Sequence, residues 1–287
     1  FIAGEKSKNI EIKTKIENFM FTNNISRSKS CLLALGGGVV GDISGFVAST
    51  YKRGIDFIQI PTTVISMVDS SIGGKNGINN QYGKNLVGTF YQPKYILIFY
   101  NFLESLPESE LINGMAEIIK IAALSPKPYL WNILNSNRLK SIKENSKILH
   151  KMIIEAANLK VEICTKDIYD NSVSKNIKLD IPREHLNFGH TIGHIIEYSE
   201  NIPHGYAVSL GMIYELKLLI NPKMSQILED CLQKYKLPVK LNSKIKKEDI
   251  ELYFNNDKKD GRIVLLKSLG ESYTKKFEVN DIFHLLN

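Results

Sequence analysis

Apolar residues fall in short blocks early in the chain and at helical spacing later. "CLLAL", "DFIQI" and "KYILIFY" are brief apolar runs with turn residues after each, the pattern of buried parallel strands. Between the first two, "GDISGFVASTY" has room for one helix, which predicts strand, glycine turn, helix, strand. From Pro107 the texture changes. "PESELINGMAEIIKIAAL" opens on proline and acids, as helices do, and nearly all later segments keep helical spacing with few strand signals. The pattern therefore predicts an α/β domain over residues 1–106 and a mainly helical domain over 107–287. No internal repeat is evident. "KENSKILHK" and "LNSKIKKED" are polar stretches expected as exposed helix or loop.

A chain of 287 residues with 43% hydrophobic composition can bury a substantial core, in keeping with two domains. The run "YILIFYNFL" is far too short to span a bilayer, and nothing near Phe1 reads as a charged-then-apolar leader. Cys31, Cys164 and Cys231 are odd in number, widely spaced and in no CxxC pair, which argues against a disulfide framework or a thiolate zinc site. A soluble protein of the reducing cytoplasm is expected, with no membrane partner. The net charge of +7 would suit nucleic acid, but the lysines are scattered and aromatics do not interleave with them. A solvated surface, or a few cations gathered round a small anionic substrate, fits better.

Four stretches carry candidate chemistry. "LALGGGVVGD" follows a strand and opens a helix, where glycines let backbone N–H groups approach a diphosphate; a tight turn with no ligand has the same composition. "VDSSIGGKNGINNQYGKNL" sets Asp69, Lys75, Lys84 and Asn85 among glycines in what reads as an irregular loop, suited to a phosphate or a polyol. In "MAEIIK", Glu117 and Lys120 are neighbours on one helix face, and apolar residues surround both. A surface ion pair is the default, but a carboxylate in an apolar helix needs a strong partner, and a metal ion is one.

The fourth stretch, "NFGHTIGHIIE", places His190 and His194 at i and i+4 without the intervening glutamate of a zinc-protease helix. "PHGYAV" then adds His204. Two ligands on one metal, one ligand beside one catalyst, and packed core histidines all remain open on spacing alone. Three histidines within fifteen residues, together with an apolar-flanked glutamate, fit a His and carboxylate site with an open position for substrate.

Taken together, "GEKSK", "GGGVVGD", "YKRG", "IPTT", "VDSSIGGKNGINNQYGKNLVG", "FYQP", "AEIIK", "LNFGHTIGH", "HGYAV" and "DKK" occur in an order and spacing that resembles the 3-dehydroquinate synthases, members of the sugar phosphate cyclases. The resemblance implies a Rossmann-like α/β nucleotide-binding domain with a parallel sheet, followed by a mainly α-helical metal-binding domain. It implies NAD and Zn2+ (or Co2+) as cofactors, and conversion of 3-deoxy-D-arabino-heptulosonate 7-phosphate to 3-dehydroquinate and phosphate. It implies Glu117, His190 and His204 as metal ligands and His194 as a proton relay near the substrate. Dinucleotide contacts carry over to Glu5, Lys8, Gly37, Gly38, Val39, Asp42, Thr62, Thr63, Asp69, Lys75, Lys84, Phe102, Ser105 and Leu106. Substrate contacts carry over to Asp69, Lys75, Lys84, Asn85, Lys120, Lys160, Arg183, Asn187 and Lys258. Arg53 resembles an arginine that reaches the neighbouring subunit's site, which implies a homodimer.

The sequence departs from the family pattern in places. Family members usually begin with further strands, so N-terminal strands of the nucleotide domain are expected to be missing. Asn76 and Ser105 stand where threonine is common, Ile168 stands where glutamate is usual, and the stretch from Lys160 to Arg183 is longer than usual. A sibling cyclase or a metal-dependent polyol dehydrogenase is the alternative. Arg183 and Lys160 argue against a substrate lacking a carboxylate, since two buried cations facing no anion would be costly.

Overall fold

The protein is described here from a computed structural model, which covers residues 1–171, 180–219, 221–256 and 261–287. It divides into two compact units, Phe1–Pro107 and Glu108–Asn287. The first contains α1 (Ile10–Thr22), β1 (Leu32–Gly36), α2 (Gly38–Thr50), β2 (Phe57–Pro61), β3 (Lys75–Asn80), β4 (Gly83–Phe90) and β5 (Tyr95–Ile96). The second contains α3 (Glu108–Leu124), α4 (Tyr129–Asn135), α5 (Leu139–Glu144), α6 (Ser146–Lys166), α7 (His190–Glu200), α8 (His204–Lys217), α9 (Pro222–Lys234), α10 (Lys247–Asn256), β6 (Arg262–Ser268), β7 (Glu271–Lys276) and α11 (Val279–Leu286).

In the first unit β1, β2 and β5 form a parallel sheet in that order. The β1, turn, α2, β2 succession follows the predicted order. Ile43, Val47 and Tyr51 of α2 and the turn after it pack on Phe57 of β2 and Ile78 of β3. Two expectations are corrected here. The run from Lys94 to Tyr100 yields only the two-residue strand β5, and β1 is buried on one side alone, with Leu33 and Leu35 exposed. The segment expected as an irregular loop is instead the antiparallel hairpin β3–β4. Its glycines and asparagines give no apolar alternation, because the pairing is made by backbone; the Asn80 side chain accepts from the N–H groups of Tyr82 and Gly83 and closes the turn.

In the second unit, helices carry most of the structure, as expected. A further correction is the hairpin β6–β7, whose run Ile263 to Leu266 is fully buried. Ile192, Ile195 and Ile196 of α7, Leu210 of α8 and Ile250 of α10 share a core with that hairpin. The polar stretches hold single anchors: Leu149 and Ile245 are buried within them. Among the described residues no helix is long and apolar enough to cross a membrane.

Candidate metal and cofactor site

Three helices of the second unit bring Glu117, His190 and His204 together. Their approach depends on residues without side chains. A Cβ on Gly211 of α8 would stand 1.9 Å from the carbonyl oxygen of Gly189, and one on Gly205 would stand 1.9 Å from that of Asn113. Neither backbone could yield that much, so glycine is required for α8 to lie against α7 and α3. Side chains then dock the helix ends. Asn113 of α3 accepts from the Gly205 N–H at 2.6 Å at the start of α8. Glu215 of α8, fully buried, accepts from the N–H groups of Gly189 and Ile192 at the start of α7. His204 and His190 are the first residues of those two helices.

Glu117 has no solvent exposure, and its Oε2 is 2.6 Å from Lys120 Nζ. Its Oε1 is 3.3 Å from His204 Nε2 and 3.5 Å from His190 Nε2. Burial opposes the charged carboxylate, but the Lys120 ammonium and then His204 hold it well below the usual carboxylate range. Burial likewise opposes charge on His204, and its contacts with Glu117 and Glu197 outweigh that and raise it to about 10. A divalent cation would displace such a proton.

The distances fit a metal better than a direct contact. Donors bound tetrahedrally at zinc distances stand roughly 3.3–3.5 Å from one another. The two Glu117 to histidine separations have that length. His194 lies beside the triad, with its ring centre 5.3 Å from that of His190 and its Nδ1 3.3 Å from the Tyr253 hydroxyl of α10.

In the second unit, Lys160 and Arg183 are buried as well. Arg183 Nη1 donates to the carbonyls of Asp167 and Ile168 at 3.1 and 2.6 Å. Asn187 donates to the Glu184 carbonyl. Lys258 lies outside the described residues.

The first unit assembles a second group. Lys8 Nζ pairs with Asp42 at 2.5 Å and donates to Asn85 Oδ1, while Glu5 accepts from Asn79. Burial raises Asp42 to about 6 against the opposing pull of Lys8. Gly37 precedes α2 with no side chain capping the helix, so its first N–H groups suit a diphosphate. Thr63 and Ser70 crowd this turn: Cβ atoms on Gly37 and Gly38 would meet them at 3.3 and 3.0 Å. Thr62 donates to the Gly36 carbonyl. Val39 is in the first turn of α2, and Asp69 in a wide, π-type helical turn over Ser66–Ser70. Lys75 and Lys84 are exposed on the hairpin, and Arg53 is exposed just after α2. Phe102, Ser105 and Leu106 sit in and after the turn Tyr100–Leu103 and bond locally.

Two family models match in succession: 3-dehydroquinate synthase N-terminal over residues 1–113 and 3-dehydroquinate synthase C-terminal over 114–260. The chain belongs to the 3-dehydroquinate synthase family. It is 37% identical over 296 aligned positions to the 3-dehydroquinate synthase of Francisella tularensis subsp. holarctica, covering 99% of this chain and 80% of that protein. It is 38% identical to a stretch of the pentafunctional AROM polypeptide of Pneumocystis carinii, covering 95% of this chain and 19% of that one. Among solved structures, 2-epi-5-epi-valiolone synthase from Streptomyces hygroscopicus, with NAD+ and Zn2+ bound, matches with a TM-score of 0.86 at 25% identity over 100% of this chain and 80% of that chain. A 2-deoxy-scyllo-inosose synthase complexed with carbaglucose-6-phosphate, NAD+ and Co2+ matches with the same TM-score at 24% identity, over 100% and 81% of the two chains. The fold is therefore that of a 3-dehydroquinate synthase and its sister cyclases.

Sequence reasoning passed over Glu197, Asn113, Glu215 and Tyr253. Glu197 alone had a local signal, since it follows His190 and His194 by seven and three positions on one helix face.

Proposed function

We propose that this chain cyclises 3-deoxy-D-arabino-heptulosonate 7-phosphate to 3-dehydroquinate with release of phosphate, the second step of the shikimate route, as a cytoplasmic homodimer that uses NAD and Zn2+ or Co2+. Membership of the 3-dehydroquinate synthase family supports the reaction. The observation that carries the chemistry is the buried Glu117, His190 and His204 triad with His194 beside it. Two structural relatives were solved with NAD+ and a divalent metal, in keeping with both cofactors.

Glu117, His190 and His204 would hold the metal, which supplies a Lewis acid for substrate hydroxyls and their alkoxides. NAD would lie on Gly37, Gly38, Val39, Asp42, Thr62 and Thr63 at the uncapped start of α2, and supplies a hydride acceptor that is restored within each turnover. Lys120 keeps Glu117 ionised, so the carboxylate is ready to ligate. His194 is the proton acceptor: an imidazole is the usual general base, and the Tyr253 hydroxyl steadies its ring through Nδ1. Within the first unit, Lys75, Lys84 and Asn85 offer donors to an anionic substrate. Within the second, Lys160 and Arg183 are buried cations suited to the substrate carboxylate.

The test is a phosphate-release assay with NAD and metal supplied, followed at the absorbance of NADH. Phosphate release at constant NADH absorbance supports the proposal. Net NADH formation would make the chain a polyol dehydrogenase, and preference for a sugar phosphate lacking a carboxylate would make it a sister cyclase.

A further inference from the structure

Glu197 has no part in the reading above, yet it touches the metal triad from outside. It lies on α7, and its side chain is 12% exposed. Its Oε2 is 3.0 Å from His204 Nδ1, whereas His204 Nε2 faces Glu117 at 3.3 Å. A neutral imidazole carries one N–H, and the hydrogen bond made by one nitrogen decides the state of the other. An ionised carboxylate accepts and cannot donate, so the proton is drawn to Nδ1 and the lone pair is left on Nε2, on the side of Glu117 and His190.

We propose that Glu197 is a positioning residue of the metal centre, holding His204 in its Nδ1–H tautomer and fixing the plane of its ring. The inference rests on the metal reading of Glu117, His190 and His204. It also accounts for the helix spacing: α7 presents His190, His194 and Glu197 along one face, so one rigid element would carry a ligand, the proton acceptor and the orienting carboxylate of another ligand.

A competing arrangement uses the same atoms. His194, Glu197 and His204 also bring ligand atoms within 4.8 Å of one another, as a second metal triad would. Serving both triads would require His204 to bind metal through both ring nitrogens and give up its last N–H. A hydrogen-bonded Nδ1–H makes no such demand.

The experiment uses the full chain stripped of metal, with zinc as the probe and a chromogenic chelator in competition. The parent should bind one zinc per chain. Glu197→Ala should still fold, judged by circular dichroism and thermal unfolding of the metal-free protein, but its zinc affinity should fall by roughly 10–100-fold, the usual effect of losing such a partner. Glu197→Gln should recover most of the affinity, because an amide oxygen still accepts from Nδ1–H. Unaltered affinity in Glu197→Ala would overturn the inference, as would a loss in Glu197→Gln as large as in Glu197→Ala. Two zinc ions in the parent and one in Glu197→Ala would make Glu197 a ligand and overturn it too. A parent that binds no zinc removes the metal reading itself, whereas a zinc-binding parent with an indifferent Glu197→Ala removes only this inference.

Discussion

Glu215 of α8, which lies in none of the sequence motifs, accepts a hydrogen bond from the backbone N–H of Gly189 at 2.5 Å and so pins the start of the helix that opens with His190. The N-terminal N–H groups of a buried helix need acceptors, and an ionised carboxylate is a strong one. Glu215→Ala should therefore lower stability by on the order of 3 kcal/mol, and zinc content should fall with it because His190 is no longer held. Glu215→Gln keeps one acceptor oxygen and should lie between. Urea unfolding of the metal-free chain and metal analysis read the two effects separately. Full stability and full zinc in Glu215→Ala would show that α7 docks without it.

The metal set makes a second prediction. His190→Ala and His204→Ala should each lose bound zinc, while His194→Ala should retain zinc and lose turnover, since its ring pairs with Tyr253 and lies beside the triad. Loss of zinc in His194→Ala would move that residue into the ligand set.

These contacts mark what could be read from the sequence and what could not. The strand, glycine turn and helix of the first unit are local patterns, and they emerged as predicted. His190, His194 and His204 are close in sequence, so spacing alone suggested a site. Glu215 and Asn113 reach backbone groups 26 and 92 residues away, and no local pattern encodes that. The hairpin β3–β4 escaped notice because glycine and asparagine hide strand alternation. The buried run from Ile263 to Leu266 was absorbed into a helical texture, although its length and flanking turn suit a strand equally.

Asn76 and Gly45 give a third prediction, specific to a position where family members usually carry threonine. Asn76 is buried and its Nδ2 donates to the carbonyls of Gly74 and Tyr91, both at 2.8 Å, clasping the base of the hairpin. Its Oδ1 would lie only 1.9 Å from a Cβ on Gly45 of α2. Gly45→Ala should thus cost about 1–3 kcal/mol. In an Asn76→Ala background the same change should be neutral or stabilising, by up to about 1 kcal/mol from helix propensity. A double-mutant cycle in urea measures this coupling; additive effects would show that the two sites do not meet.

Asp42 gives a pH dependence. Burial raises its carboxyl from 3.8 to about 6, with Lys8 opposing. A raised acid means that the folded chain binds more protons than the unfolded chain across that window, so stability from this group is full below the unfolded value and is lost as pH rises through about 6. The loss is on the order of 3 kcal/mol. Asp42→Asn should remove this slope when urea midpoints of the metal-free, cofactor-free chain are compared from about pH 4 to about pH 7. If the parent instead gains stability relative to Asp42→Asn over that range, the Lys8 pair outweighs burial and the sign is reversed.

The last prediction concerns Arg53. After α2 the chain turns through Lys52 and Arg53 at φ 45° and 67°, left-handed values that cost energy for side chains of this kind, and it leaves Arg53 exposed. The turn sets Lys52 Nζ on the Ile25 carbonyl at 2.9 Å and leaves Arg53 pointing outward, in keeping with the arginine of the family that it resembles. If the chain is a symmetric homodimer with Arg53 serving the partner's site, Arg53→Ala and His190→Ala should each be nearly inactive. Mixed and re-associated at equal concentration, about half the dimers are hybrids, and each hybrid has one site with an intact His190 of its own and an intact Arg53 from its partner. Activity should recover to roughly a quarter of the parent's, because the two-fold interface makes the sites reciprocal. If Arg53 serves its own subunit, every hybrid site carries one defect and nothing is regained. Native mass spectrometry confirms that hybrids formed, so an inactive mixture containing them would reject the shared site.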